Sequence, residues 1–94
     1  MRWSVGLEAE GGRVFTREEI VELADAVAAS DGIASGIGTS RYGARVIVDA
    51  GSRADAIAAA TEVFVAAART AGLPDAPIVA TEAVSEAEEA SELR

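Results

Sequence analysis

The sequence predicts an α+β domain: a four-stranded antiparallel sheet with two helices on one face, in the order strand, helix, strand, strand, helix, strand. Three observations carry that expectation. Ile33 to Ala50 reads as a hairpin, with Val46, Ile47 and Val48 side by side in its second arm and Thr39 to Gly43 as the turn. One strand-like and one helix-like segment flank that hairpin on each side. Both helix-like segments open on a capping signal.

The first strand, Arg2 to Glu10, alternates cleanly. Trp3, Val5, Leu7 and Ala9 share one face, and Arg2, Ser4, Gly6, Glu8 and Glu10 share the other, the pattern of a strand with one wet side. Gly11-Gly12 breaks it. A helix is expected from Thr16, where Thr16 and Glu19 have the spacing of a capping box and Phe15 and Ile20 that of a hydrophobic staple. Ile20, Leu23, Ala24 and Val27 line its apolar face, and Ser30-Asp31-Gly32 ends it.

The hairpin's first arm, Ile33 to Thr39, places Ile33, Ser35 and Ile37 on one face and leaves the other almost bare at Ala34, Gly36 and Gly38. Bare backbone marks a bulge or bend, or a close approach by a ligand or another chain. In the second arm Ala44, Val46, Val48 and Ala50 are expected under the helices. Arg45, Ile47 and Asp49 then face water. The second helix opens at Ser52, with Ile57, Thr61, Phe64, Val65 and Ala68 as its buried side and Gly72-Leu73-Pro74 as its stop. Ile78 to Val84 reads as an edge strand begun by Pro77, and its facing is ambiguous from the residues. An outward Glu82 would put Ile78 on the wet side and leave Val79, Thr81 and Ala83 inward. Residues 1–84 make one domain. Residues 85–94, SEAEEASELR, form an acidic tail that is frayed or a short helix.

This element order resembles the ferredoxin-like, or split βαβ, plait. The resemblance lies in the order of elements over Arg2 to Val84 and in no family motif. It implies the sheet order last, first, third, second, with Val46 and Val48 central beneath both helices. The fold hosts many unrelated functions.

Composition narrows the function classes. The chain has 94 residues, no cysteine, no histidine and a formal charge of −8. Disulfides, thiolate metal sites, cysteine nucleophiles and histidine bases are therefore excluded. No cofactor is expected. The negative charge disfavours a nucleic-acid partner and an anionic membrane surface. No apolar run approaches the ~20 residues of a membrane span, and the N-terminus carries no signal-peptide core, so the expected location is cytoplasmic.

Families that share the plait test the residues further. Copper- and zinc-carrying plait domains need paired cysteines after the first strand, where this chain has EGGRVF. Acylphosphatases need an asparagine that is absent here, and Arg13 beside Gly11-Gly12 is a faint echo of their phosphate loop. RNA-recognition domains stack bases on aromatics. RYGARVIV, from Arg41 to Val48, is superficially similar but holds Gly43 and Arg45 at those positions. GIGTSRYG, from Gly36 to Gly43, resembles a phosphate loop without the following helix that supplies amides. Amino-acid-binding domains of the ACT type match by element order alone.

The candidate binding residues are Gly36, Gly38, Arg41, Tyr42, Arg45 and Ile47, with the two arginines and the tyrosine able in principle to hold an anion at the hairpin tip. No catalytic and no metal-ligating residue is expected. The favoured reading is a small non-catalytic binding or association module that uses its open sheet face, self-association through that face or an edge strand included. Two alternatives stay open. One is a cofactor-free enzyme of the dimeric monooxygenase type working with Glu8, Glu10 and arginine. The other is an acidic partner of a basic protein.

Overall fold

The computed structural model describes residues 1–87 and shows an α+β domain with a four-stranded antiparallel sheet and two α-helices. In chain order the elements are β1 (Arg2–Glu10), α1 (Arg17–Val27), β2 (Ile33–Ser35), β3 (Arg41–Asp49), α2 (Arg53–Thr70) and β4 (Ile78–Ser85), with a 3-10 turn at Ala28–Ser30. The sheet order is β2-β3-β1-β4, which from the other edge runs β4-β1-β3-β2. Every strand pairing is antiparallel.

The alternation of β1 sets the two sides of the sheet. Trp3, Val5, Leu7 and Ala9 are buried, and they sit across the ladder from Val48, Val46, Ala44 and Tyr42 of β3. Ile20, Leu23 and Val27 of α1 and Phe64 of α2 join these residues in one core. Both helices therefore cover the same face. The opposite face carries no layer among the described residues.

The start of α1 follows its sequence signals in full. Thr16 Oγ1 accepts from the Glu19 amide at 3.3 Å, and the Thr16 amide donates to Glu19 Oε1 at 3.0 Å. Phe15 and Ile20, the staple pair, are both buried. Arg13 completes the cap by donating from both terminal nitrogens to Glu19, at 3.0 and 2.6 Å. The Arg13 hydrogen bond, seconded by the Thr16 amide, lowers the Glu19 carboxyl from 4.5 to about 2. A depressed carboxylate pKa favours the folded state above the unfolded value and loses that effect as pH falls through the folded value. Glu19 thus supports the fold fully above pH 4.5 and ceases to do so by about pH 2. Carboxyl NMR titration should give a Glu19 midpoint of about 2, and Arg13→Ala should move it upward toward 4.5. A midpoint unmoved by Arg13→Ala would contradict the pairing.

Three sequence expectations are corrected here. The first arm of the hairpin is a strand only at Ile33–Ser35, after which the chain turns through Gly36 and Gly38 at φ +124° and +76°. Those glycines serve the bend, and β3 begins correspondingly early, at Arg41. On α2 the buried side is Ala56, Ala60, Phe64, Ala67 and Ala68, rotated from the expected stripe, while Ile57, Thr61 and Val65 are half-buried. In β4 the register shifts opposite Glu8 and Ala9, where Ala80 and Ile78 are their partners. One extra residue in a strand flips its facing. Val79 is therefore exposed and Ile78 packs against the core, the reverse of the facing that an outward Glu82 implies.

Ser85 closes β4 opposite Trp3 and is buried, so the strand runs one residue into the expected tail. Residues 88–94 of that tail lie outside the described residues. Among the described residues, no helix is long and apolar enough to cross a membrane.

Candidate functional site

The uncovered side of the sheet is defined by the residues that alternate with the core. Its registers can be read strand by strand. The middle row is Ile33 of β2, Arg45 of β3, Gly6 of β1 and Glu82 of β4. One row toward the N-terminal end of β1 lie Ile47, Ser4 and Val84. One row the other way lie Ser35, Gly43, Glu8 and Ala80. The face is thus small-residue at its centre, with isoleucines toward the β2–β3 side.

Arg45 organises the middle of this face. Its Nη1 donates to Ser4 Oγ at 2.8 Å, and its Nη2 lies 3.6 Å from Glu82 Oε2. To reach both, the guanidinium crosses β1 over Gly6. A Cβ at Gly6 would meet Arg45 Nη2 at 3.0 Å, so the glycine leaves room for an arginine to lie flat. Ser4 is buried although it belongs to the uncovered side. Gly43 allows a second close approach, since a Cβ there would come within 2.7 Å of the Leu7 carbonyl oxygen.

Arg41 occupies the far end of β3, with Glu8 at 3.8 Å and Glu10 at 3.5 Å. Arg41 and Arg45 are four residues apart on a strand, about 13 Å by strand rise. Each already has carboxylates beside it. Tyr42 points the other way. Its ring stacks on Phe64 with centroids 5.6 Å apart, meets Phe15 edge-on at 5.1 Å, and its hydroxyl donates to the Pro74 carbonyl at 2.9 Å. The expected anion trio of Arg41, Tyr42 and Arg45 is therefore not assembled, and Tyr42 is a core residue. Burial pushes its hydroxyl pKa up, with the Asp75 charge adding to the effect.

Gly36 and Gly38 lie in the connection between β2 and β3. Gly36 sits against the backbone of Arg41, where a Cβ would fall 2.4 Å from the carbonyl oxygen. Thr39 Oγ1 ties the same turn to the carbonyls of Gly36 and Arg41, at 3.1 and 2.7 Å. Of the six candidate residues, Arg41, Arg45 and Ile47 share the uncovered face, Gly36 borders it, Gly38 lies further along the connection, and Tyr42 leaves it. Gly6, Ser4 and Glu82 join it instead. Gly6 was visible as the break in β1's otherwise polar outer series, whereas Ser4 and Glu82 depend on register.

The face holds a shallow open depression of about 340 Å³ centred on Gly6 and Arg45, with Glu8, Ile33, Ala80 and Glu82 at its margins. A second, of about 410 Å³, lies beside it toward Gly36, Thr39 and Ser40. Among the described residues, no group of three or more acidic side chains is placed to hold a metal ion. Comparison with protein-family models and with curated proteins finds no match for this sequence.

Proposed function

We propose that this chain is a non-catalytic association module, a ferredoxin-like split βαβ plait that binds a macromolecular surface through its open sheet face. The sheet order β4-β1-β3-β2 with antiparallel pairing throughout supports the plait reading. One observation carries the association reading. The uncovered face is shallow and open, and it presents the side chain of Ile33, 68% exposed, together with half-buried Ile47. Large apolar side chains exposed on an uncovered sheet face suit contact with another surface.

The polar groups of this face support binding over catalysis. Glu8 and Glu10 share Arg41, and Arg45 is divided between Ser4 and Glu82. Arg13 is committed to Glu19 of α1 and stacks on the Phe15 ring at 4.7 Å. These groups line no common deep pocket, which a general acid or base needs for its pKa to be tuned by desolvation.

Ile47→Glu tests the reading. Sedimentation velocity of the wild-type chain over a wide concentration range is expected to show mass increasing with concentration, with the methyl resonances of Ile33 and Ile47 shifting in parallel. The variant is expected to keep the wild-type thermal melt within about 1 kcal/mol, since surface changes away from special features cost little, and to lose the association. Association that persists in Ile47→Glu would place the contact elsewhere.

A further inference from the structure

We infer that the open face takes an aromatic side chain of a partner protein, laid on the guanidinium of Arg45, with an adjoining basic residue set against Glu8 and Glu82. This rests on the association reading above and names the chemistry of the partner.

Gly6 builds the platform. Nη2, Cζ and Nε of Arg45 lie 3.0, 3.4 and 3.7 Å from the point where a Gly6 Cβ would stand. Distances this similar across three bonded atoms mean that the plane of the group, and not its edge, faces the glycine. A side chain at position 6 would crowd the group out of that plane. Nη1 donates to Ser4 Oγ at 2.8 Å, and Glu82 Oε2 lies 3.6 Å from Nη2, so both ends of the group are tethered in it. One face of the guanidinium therefore rests on the backbone of β1. The other is turned to solvent, on a side chain that is 38% exposed. A guanidinium presented face-out is a stacking partner for an aromatic ring.

Shape decides what carries the ring. The depression around Arg45, about 340 Å³, is shallow and open. A small ligand draws its affinity from a pocket that encloses most of its surface, and this one covers a single side. A ring carried by a protein needs no enclosure, because contacts beside it add to the binding. Ile33 borders the same depression and Ile47 lies one row away. Apolar side chains next to a central aromatic anchor are the usual setting of the strongest contacts in protein interfaces.

Charge decides what accompanies it. The charged side chains lining the depression are Arg45, Glu8 and Glu82, which leaves one negative charge in excess. Arg41 comes only to 3.8 Å of Glu8 and Arg45 only to 3.6 Å of Glu82, both longer than a hydrogen bond. The two carboxylates are 52% and 67% exposed, with oxygens open to a cation. In a chain of charge −8 an acidic segment is repelled and a basic one is drawn in.

NMR titration of the isotope-labelled chain with an acetylated, amidated Gly-Trp-Lys-Gly peptide tests this. The Arg45 Nε–H resonance is expected to move upfield under the stacked ring. The peptide should bind at least about threefold more tightly than Gly-Leu-Lys-Gly, within the range of an exposed cation–π contact. Gly-Trp-Glu-Gly should bind more weakly than Gly-Trp-Lys-Gly. Arg45→Lys keeps the charge and removes the plane, and Gly6→Val displaces the plane. Each should abolish the preference for Trp over Leu, with circular dichroism melts confirming that both variants fold. A Trp peptide that binds no better than the Leu peptide, or a preference that survives Arg45→Lys, overturns the stacking. If the peptides still shift the Ile33 and Ile47 methyls, and Ile47→Glu removes those shifts, the association reading stands and only the platform fails. Shifts on the helix side alone, unaltered by Ile47→Glu, overturn both.

Discussion

Phe64→Ala is expected to destabilise the domain by about 3–5 kcal/mol, the range for truncating a buried aromatic. Phe64 is 1% exposed and forms the floor of the Phe15–Tyr42–Phe64 stack. Its neighbours on the buried side of α2 are Ala56, Ala60, Ala67 and Ala68. Alanines have no rotamers with which to fill a void, so relaxation around the cavity is limited and the upper part of the range applies. Folded domains typically hold only about 5–15 kcal/mol in reserve. Urea denaturation should therefore show a much earlier midpoint with little change in slope. A loss under about 1 kcal/mol would mean that the aromatic stack is not the centre of the core.

Gly36→Ala is the second large effect, expected at about 3 kcal/mol or more from a backbone region nearly closed to other residues combined with a steric clash. Gly36 has φ +124°, and an added Cβ would lie 2.4 Å from the Arg41 carbonyl oxygen and 2.9 Å from Tyr42 Cα. Gly38 supplies the control. It also has positive φ, at +76°, but a Cβ there meets nothing within 4 Å. Gly38→Ala should cost only about 1 kcal/mol, the usual penalty for a left-handed residue. Equal losses at the two positions, measured by the same denaturation, would contradict the close packing of the β2–β3 connection on β3.

These two predictions show where the sequence was informative and where it was not. The capping box, the staple and the alternation of β1 are local signals, and each appears in the structure at the residues that carry it. The facing of β3 was also legible, because Arg45 and Asp49 could not both be buried. The buried side of α2 was obscured by alanine. With small apolar residues on nearly every side of the helix, Ile57 and Val65 outweighed Ala56 and Ala60 as indicators although the alanines pack closest.

The bulge in β4 left no local trace, since Ile78 and Val79 are equally apolar and only pairing with β1 decides which turns inward. The candidate site divides in the same way. Arg45 and Ile47 followed from alternation on a strand. Tyr42 adjoins Arg41 in sequence, but the same alternation puts it on the opposite, core-facing side of β3. The Ser4–Arg45–Glu82 link depends on residues 41 and 37 positions apart being brought into one row, and no window of sequence contains it.

The central claim is that adjacent residues of β3 face a sealed core on one side and a contact surface on the other. Thermal melts of Val46→Glu and Ile47→Glu, compared in the same buffer, test it most directly. Val46 is fully buried, and a carboxylate there has no partner, so the account predicts loss of cooperative folding. For Ile47→Glu it predicts a melt close to wild type. Comparable destabilisation by the two substitutions, or a folded Val46→Glu, would contradict it.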